Sequence, residues 1–478
     1  MEYEAVIGME VHVQLATDSK VFCPTSTNFH APPNTNVCPV TLGLPGTLPV
    51  LNRKAVEYSV MVGLALNCRI SRWSKMDRKN YFYPDLPKNY QISQYDLPLC
   101  HDGYLDLDRN GATKRVGIRR AHLEEDTASN THTLGKGMSG VDFNRAGIPL
   151  LEIVTEPDIQ SAEEAFAYLT ELKQILRYLG VSDCNMEQGS LRGEANISVR
   201  PKGSSELGTK TEVKNVASFS GTQKAIEFEV KRQVRVLEEG GTLVQETRGW
   251  DADRGVTFSQ RVKEEAHDYR YFPDPDLVPI VIDEAWENRL RERLPELPRA
   301  RRQRFQETFA LSPYDAGVLT AEQAMADYFE RVIAAGAPAK QAANWVMVEL
   351  QPILNAEGHD WEHCPLPPGH IAELITLIND GVISGKIAKE VLPESVQSGK
   401  APKAVVEEKG LVQISDTGEL EGIVREIIAA NPGPLADYKA GKQKAMGFFV
   451  GQVMKATKGQ ANPKVVNEIL TQELSKAD

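Results

Sequence analysis

The sequence predicts an α+β protein in three pieces: a large N-terminal domain over residues 1–293, a helical domain over 294–404 and a small all-α tail domain over 405–478. Three observations carry this. The chain opens on a run that alternates apolar and polar residues with period two, the mark of a half-buried strand. Helical patterns within the first 293 residues are too few for a βαβ series. Beyond a cluster of prolines (Pro273, Pro275, Pro279, Pro295, Pro298) the texture becomes helical.

In the opening run Met9, Val11, Val13 and Leu15 face one way, and Glu10, His12 and Gln14 the other. Side chains at i and i+2 share a face, so Glu10 and His12 can reach one ion or one substrate; the alternative is a strand with an ordinary solvated face. The string Arg119-Arg-Ala-His-Leu-Glu-Glu-Asp126 ends in three consecutive acids, and Glu152 stands inside the apolar run that follows Gly147. Ser161-Ala-Glu-Glu164 is a capping box opening a helix with Phe166, Leu169, Leu172, Leu176 and Leu179 on one face, stopped by Gly180. From Met186 to Arg200 alternation returns, with Ala195, Ile197 and Val199 inward and Glu194, Asn196, Ser198 and Arg200 opposite. A second helix carries Ile226, Val230, Val234 and Leu237 as its buried stripe and ends at Gly240-Gly241. Residues 321–335, 340–354 and 370–378 have helix spacing, and the Pro/Lys stretch at 398–403 suggests the second boundary.

At 478 residues the chain exceeds one core, and 41% hydrophobic with 25% charged residues is a globular composition. No run reaches the roughly 18 apolar residues of a membrane span, and the opening Met-Glu-Tyr-Glu does not read as a leader. Six scattered cysteines are no disulfide framework, which favours a reducing cytoplasm. A net charge of −12 argues against coating nucleic acid by bulk electrostatics, yet residues 438–464 hold six lysines (Lys439, Lys442, Lys444, Lys455, Lys458, Lys464) and no acid.

Four separated segments offer acids from predicted strands: Glu10, Glu124 with Glu125, Glu152, and Glu187 with Glu194. Two carboxylates about 4 Å apart repel by roughly 4 kcal/mol at an effective dielectric near 20. Gathering several would cost about as much as a domain's whole stability, so convergence requires a divalent cation or protonation. Oxygen ligands with one histidine suit Mg²⁺ or Mn²⁺ better than zinc. The alternative is a set of independent surface acids, and spacing leaves both open. Residues 75–90 and 261–276 mix basic and aromatic side chains. In the first, Arg78, Lys79 and Lys88 could meet phosphates while Tyr81, Phe82 and Tyr83 stack or line a channel; a structural plug is the alternative. There is no Walker A loop, no H-E-x-x-H and no nucleophile elbow, and residues 135–140 fit G-x-G-x-x-G by letter only, with no strand before and no helix after.

Eight strings in order, from Val6-Ile-Gly-Met-Glu-Val-His-Val13 through Asp77-Arg-Lys-Asn-Tyr-Phe-Tyr-Pro-Asp85, Tyr90-Gln-Ile-Ser-Gln94, Leu123-Glu-Glu-Asp126, Glu152-Ile-Val-Thr-Glu-Pro-Asp158, Gly189-Ser-Leu-Arg192 and Asp268-Tyr-Arg-Tyr-Phe-Pro273 to Lys444-Ala-Met-Gly-Phe-Phe-Val-Gly-Gln452, carry a resemblance over essentially the whole chain. The chain resembles the B-subunit family of bacterial aspartyl/glutamyl-tRNA amidotransferases. The resemblance implies a glutamine-synthetase-like, mainly antiparallel cradle domain followed by a helical domain and a small helical tail. It implies an ATP-dependent ligase activity in which the side-chain carboxylate of glutamate or aspartate mis-charged on tRNA(Gln) or tRNA(Asn) is phosphorylated. Ammonia from an amidase, the A-subunit of a heterotrimer whose third member is a small C-subunit, then displaces the phosphate. An oxide ion is a poor leaving group and phosphate a good one, and phosphoryl transfer is served by metals and lysines that position and neutralise.

Carried over position by position, the resemblance implies Glu10, His12, Glu125, Glu152 and Glu194 as Mg²⁺ (or Mn²⁺) ligands, with Glu124 and Glu187 as neighbouring candidates. Glu10, His12, Glu124, Glu125 and Lys79 form the expected catalytic set. Lys79, Tyr81, Lys88, Arg192 and Glu187 are expected to meet ATP or substrate, and Lys442, Lys444, Lys455 and Lys458 to meet tRNA phosphates. Two departures stand out. Where many relatives have a four-thiolate zinc site, this chain has Cys23-Pro-Thr25 and Cys38-Pro-Val-Thr41, and two thiolates cannot close a zinc tetrahedron, so no zinc is expected. The family's Leu-Arg-Cys-Asp-Ala-Asn string reads Leu191-Arg-Gly-Glu-Ala-Asn196, placing the longer Glu194 at a ligand position. No Ser-Ser-Lys amidase signature and no Cys/His glutaminase arrangement is present, so ammonia comes from a partner. The competing readings are a non-catalytic tRNA scaffold and a free-standing ligase of small carboxylates.

Overall fold

The computed structural model describes all residues except 1, 110, 132–134, 136–137, 263–268, 413–416, 443, 458–459 and 477–478. Lys458, Asp268 and part of the 135–140 stretch therefore lie outside the described residues. The chain divides into two compact units, Met1–Pro298 and Arg299–Asp478.

The first unit is built on a nine-stranded sheet. In chain order its strands are β1 (Tyr3–Gln14), β2 (Arg69–Ile70), β3 (Cys100–Arg109), β4 (Ala112–Glu125), β5 (Pro149–Thr155), β6 (Leu191–Pro201), β7 (Thr211–Lys214), β8 (Glu246–Asp251) and β9 (Val256–Val262). They lie in the order β9-β8-β7-β6-β1-β5-β4-β3-β2, antiparallel throughout except for the parallel pair β7–β8. The opening run thus becomes the central strand, flanked by β5 and β6.

Alternation then sorts the faces. Met9, Val11 and Val13 of β1, Ala121 and Leu123 of β4, Leu151 and Ile153 of β5, and Ala195 and Ile197 of β6 join one buried cluster. Helices α1 (Arg53–Ala65), α2 (Ala162–Tyr178) and α3 (Phe219–Glu238) pack against these strands and contribute to the same cluster. Each of the larger side chains among these, the alanines excepted, stabilises the fold by roughly 1.5–3 kcal/mol through burial. The opposite face carries the polar set, uncovered by these helices.

The helices start as read. Ser161 Oγ accepts the Glu164 amide at 3.2 Å, while Glu164 reaches back to the Gln160 amide at 2.9 Å. Two predicted stripes are corrected. Phe166 is 38% exposed and meets Phe219 edge-to-face, because the phase of α2 buries Tyr168, Leu169, Leu172 and Ile175 instead. On α3 Ile226 is buried as read and Val230 packs half-buried against the core, but the other buried positions are Thr222, Ala225, Glu229 and Gln233, not Val234 and Leu237. Glu229 is fully buried because Arg232 and Arg248 neutralise it and Thr257 donates to it. A paired charge can go where a lone one cannot.

A small three-stranded sheet beside this core joins Asp77–Asn80, Tyr90–Ser93 and Phe272–Pro273. It brings the basic–aromatic loop together with the residues before Pro273.

The second unit is helical and has two separate apolar clusters, one from Phe305 to Val406 and one from Leu420 to Leu474. The helix Pro402–Glu408 crosses the expected boundary at 404 and buries Val405 and Val406 in the first cluster. The run expected as one helix at 340–354 is Ala339–Asn344, a π-helical turn Trp345–Leu350 and Gln351–Glu357. The tail comprises Thr417–Ala430, Pro432–Lys439, Lys444–Ala456 and Pro463–Lys476.

Candidate active site

The polar face of the sheet gathers its acids by register. His12 of β1 stands opposite Glu152 of β5 and Arg192 of β6, and Glu152 stands opposite His122 of β4. One pair along, Glu10 stands opposite Glu194. Glu10, His12 and Glu194 present ligand atoms within 4.8 Å of one another, and so do His12, Glu124 and Glu152. His12 is common to both groups. Its Nε2 lies 3.5 Å from Glu152 Oε2 and 3.8 Å from Glu124 Oε1. His122 backs the same carboxylates, its Nε2 3.4 Å from Glu152 Oε2 and 3.7 Å from Glu124 Oε2.

The electrostatics show what this crowding costs. Burial, then the Glu152 and Glu194 charges, push the Glu10 carboxyl up to about 7. Burial opposes a charged His12, but its hydrogen bond to Glu152 and the surrounding carboxylates raise it to about 9. Glu152 itself is held well below the carboxylate range, its burial outweighed by His122 and His12. Lys214 closes one side, 2.5 Å from Glu194 and 3.2 Å from Glu212; burial opposes its charge, yet those carboxylates hold it above the lysine range. A carboxyl that keeps its proton near neutrality for want of positive charge is one where a divalent cation fits, and the oxygen-rich donor set with one shared imidazole suits a hard ion.

Lys79 stands on the flank, among aromatic rings. Its ammonium lies 4.9 Å from the Tyr269 ring centre and 5.8 Å from that of Tyr81. Burial opposes its charge, but Glu124, Tyr271 and Glu152 hold it above the ordinary lysine range. Beside Glu10, the pairing of β5 with β4 has an irregularity between Val154 and Thr155, and Thr155 Oγ1 accepts the Met9 amide at 2.9 Å. A cavity of about 290 Å³ opens there, lined by Gly8, Glu10, Val154, Asn196, Ser198 and Lys210, among others.

Not every expected residue is brought to the cluster. Glu125 is not among the clustered carboxylates: one residue past Glu124, it points away, and both its oxygens take the Lys88 ammonium at 2.7 Å while Oε1 accepts the Ile92 amide. Glu124 takes the place expected of it, held by Ser93 Oγ at 3.1 Å. Lys88 is thereby paired behind the sheet face. Arg192 lies on the face but is tied to Asp126 at 3.1 Å. Glu187 is exposed in the turn before β6, beside a groove with Lys173 and Arg177. In the tail, Lys444 and Lys455 are exposed on the helix Lys444–Ala456, while Lys442 pairs with Asp437 at 2.8 Å, an acid one residue before the acid-free stretch.

The sequence reading missed His122 and Lys214. The i+2 rule that joined Glu10 to His12 also joins His122 to Glu124, which would have found the first; nothing local marks Lys214, which depends on β7 pairing with β6.

A buried set of carboxylates and imidazoles on the open face of a sheet is the apparatus of an enzyme acting on charged groups. Residues 5–288 match the family model of the GatB/GatE catalytic domain, and residues 327–474 that of the GatB domain. The chain is 58% identical to the B-subunit of the aspartyl/glutamyl-tRNA(Asn/Gln) amidotransferase of Caldanaerobacter subterraneus over 476 residues, 100% of both chains. The B-subunit from Geobacter sulfurreducens is 59% identical over 478 residues, 99% of this chain and 100% of its own. This chain belongs to the B-subunit family of the aspartyl/glutamyl-tRNA(Asn/Gln) amidotransferases.

Proposed function

We propose that the chain phosphorylates the side-chain carboxylate of glutamate or aspartate mis-charged on tRNA(Gln) or tRNA(Asn), using ATP, and passes the activated carbonyl to ammonia from the amidase A-subunit, the small C-subunit making up the third part of the enzyme. The observation that carries this is the pair of ligand groups sharing His12. Family membership supports the substrate. Glu10, His12 and Glu194, with Glu124 and Glu152, would hold Mg²⁺, which when bound neutralises phosphate charge during transfer.

This chain's own residues do the rest. The cavity beside Glu10 receives the nucleotide, with its phosphates toward the carboxylates. Lys79, charged and nearly enclosed by tyrosines, lies on the Glu124 side, where an ammonium offsets the charge of the phosphate or the substrate carboxylate. His122 fixes Glu124 and Glu152, as an outer partner orients a ligand. Attack of the carboxylate on the terminal phosphorus forms an acyl phosphate and ADP; ammonia then adds to the carbonyl, loses a proton, and phosphate leaves. The one-sided polar sheet supports the glutamine-synthetase-like cradle, and the exposed Lys444 and Lys455 support a tail that meets tRNA phosphates, each contact adding salt-dependent affinity.

The test is ADP release stimulated by Glu-tRNA(Gln) in the assembled enzyme without an ammonia source. Glu10→Gln and His12→Ala are expected to abolish it while tRNA binding stays within about twofold. Unchanged release in both variants would remove the cluster from the chemistry.

A further inference from the structure

Apart from this chemistry, Cys23 and Cys38 meet across one hydroxyl. Cys23 Sγ and Cys38 Sγ each lie 3.4 Å from Thr41 Oγ1. The Cys23 thiol also donates to Thr25 Oγ1 at 3.3 Å, and the Thr41 amide donates to Cys38 Sγ at 3.5 Å. Lys20 packs beneath them, almost wholly buried, its ammonium on the carbonyls of Asn36 at 2.7 Å and Phe143 at 3.3 Å. Burial lowers that ammonium to about 8, against the pull of the two neighbouring sulfurs. A cavity of about 160 Å³, lined by Lys20, Cys23, Thr41, Lys88 and Glu125 among others, reaches the Cys23 side, and Cys38 is partly exposed. There is room in it for small polar reagents.

We propose that Cys23 and Cys38 are a redox modification site, a dithiol pair that hydroperoxides convert reversibly to a disulfide. Thiol reactivity follows thiolate character and access, and both favour Cys38 as the attacking sulfur. Burial alone would keep it protonated, but hydrogen bonds from the Thr25 and Thr41 side chains and the Thr41 amide bring it down to about 6. The other four cysteines go the other way: burial raises Cys68 to about 12, Cys184 to about 11, and Cys100 and Cys364 also upward.

The steps balance. The Cys38 thiolate attacks one peroxide oxygen, the O–O bond breaks, and the departing hydroxide takes a solvent proton, leaving a sulfenic acid and water. Cys23 sulfur then attacks the sulfenic sulfur; the S–O bond breaks, the S–S bond forms, and hydroxide leaves with the Cys23 proton as a second water. Two thiols lose two hydrogens and one peroxide becomes two waters. A dithiol reductant reverses the change by thiol–disulfide exchange. The new bond closes the 23–38 loop and removes both sulfur partners of Thr41, without touching a residue of the carboxylate cluster.

The test uses the full chain, purified reduced with a chelator, treated with equimolar hydrogen peroxide, quenched by alkylation and mapped by mass spectrometry. The expected result is a Cys23–Cys38 linked peptide that dithiothreitol reverts, with the buried Cys68, Cys100 and Cys184 alkylating as thiols only after unfolding and the half-buried Cys364 recovered as a thiol. Cys23→Ser should leave Cys38 as a sulfenic acid trappable by dimedone, and Cys38→Ser should slow peroxide consumption by about tenfold or more. Free thiols at both positions after peroxide, a linkage between other cysteines, or a metal that stays bound to the pair and protects it would each overturn the proposal.

Discussion

At the scale of single residues, one carboxylate decides how the face is read. Glu124 and Glu125 are adjacent, so they cannot share a face of β4; the structure gives Glu124 to the cluster and Glu125 to Lys88. Glu124→Gln is therefore expected to weaken Mn²⁺ binding, followed by calorimetry, at least as much as the about 10–100-fold loss typical of an outer-partner change such as His122→Gln. Glu125→Gln should leave Mn²⁺ affinity nearly unchanged; an equal loss in both variants would contradict the assignment. The alternation around Glu10 and His12 made their shared face legible from sequence. The phase of 119–126 was legible by the same rule, but consecutive acids hide it unless His122 is counted.

At the scale of elements, local pattern was legible where burial is purely apolar and misleading where it is not. The strands β1, β5 and β6 read correctly because their inward residues are aliphatic. The stripe of α3 was misplaced because Glu229 and Gln233 are buried, and no window on one helix shows that Arg248 arrives from β8 to neutralise the first. Because β5 stands between β1 and β4, its inward side chains pack the strands that carry the carboxylate cluster. Ile153→Ala is expected to cost about 2–5 kcal/mol in urea unfolding and to lower amidation while leaving the cluster residues themselves intact. A loss under about 1 kcal/mol would mean this layer is not tightly packed.

In the helical unit, Glu330 takes Arg304 Nη1 at 2.6 Å and the Arg301 guanidinium as well. Its burial disfavours charge, but the two arginines hold its carboxyl below the ordinary 4.5. A carboxyl lowered in the folded state adds stability that is present above its unfolded value and lost as pH falls through the folded one. Glu330→Gln should cost about 0.5–1 kcal/mol at neutral pH, because solvent screens a half-buried pair, with the difference shrinking as chemical denaturation is repeated at progressively more acid pH. A difference independent of pH would assign the loss to packing.

At the scale of the whole molecule, the division into a β-rich and a helical unit was legible from composition and proline placement. The strand order was not, since β1 lies between strands that arrive well over a hundred residues later, at Pro149–Thr155 and Leu191–Pro201, and only long-range pairing sets that order. The helix Pro402–Glu408 seals the cluster before it, so a chain ending at residue 411 is a cleaner truncation than one ending at 404. That truncation is expected to raise KM for charged tRNA by about tenfold or more and to flatten its salt dependence, with ATP binding kept; indifference to it would favour a ligase of small carboxylates.

The most direct measurement combines the chain with the proposed amidase and small partner subunits, the amidase nucleophile disabled, and supplies Glu-tRNA(Gln), ATP, Mg²⁺ and free ammonium. The expected result is Gln-tRNA(Gln) that requires both ATP and this chain and is lost with Glu10→Gln. Tight tRNA binding with no product from either Glu-tRNA(Gln) or Asp-tRNA(Asn) would contradict it and leave a scaffold.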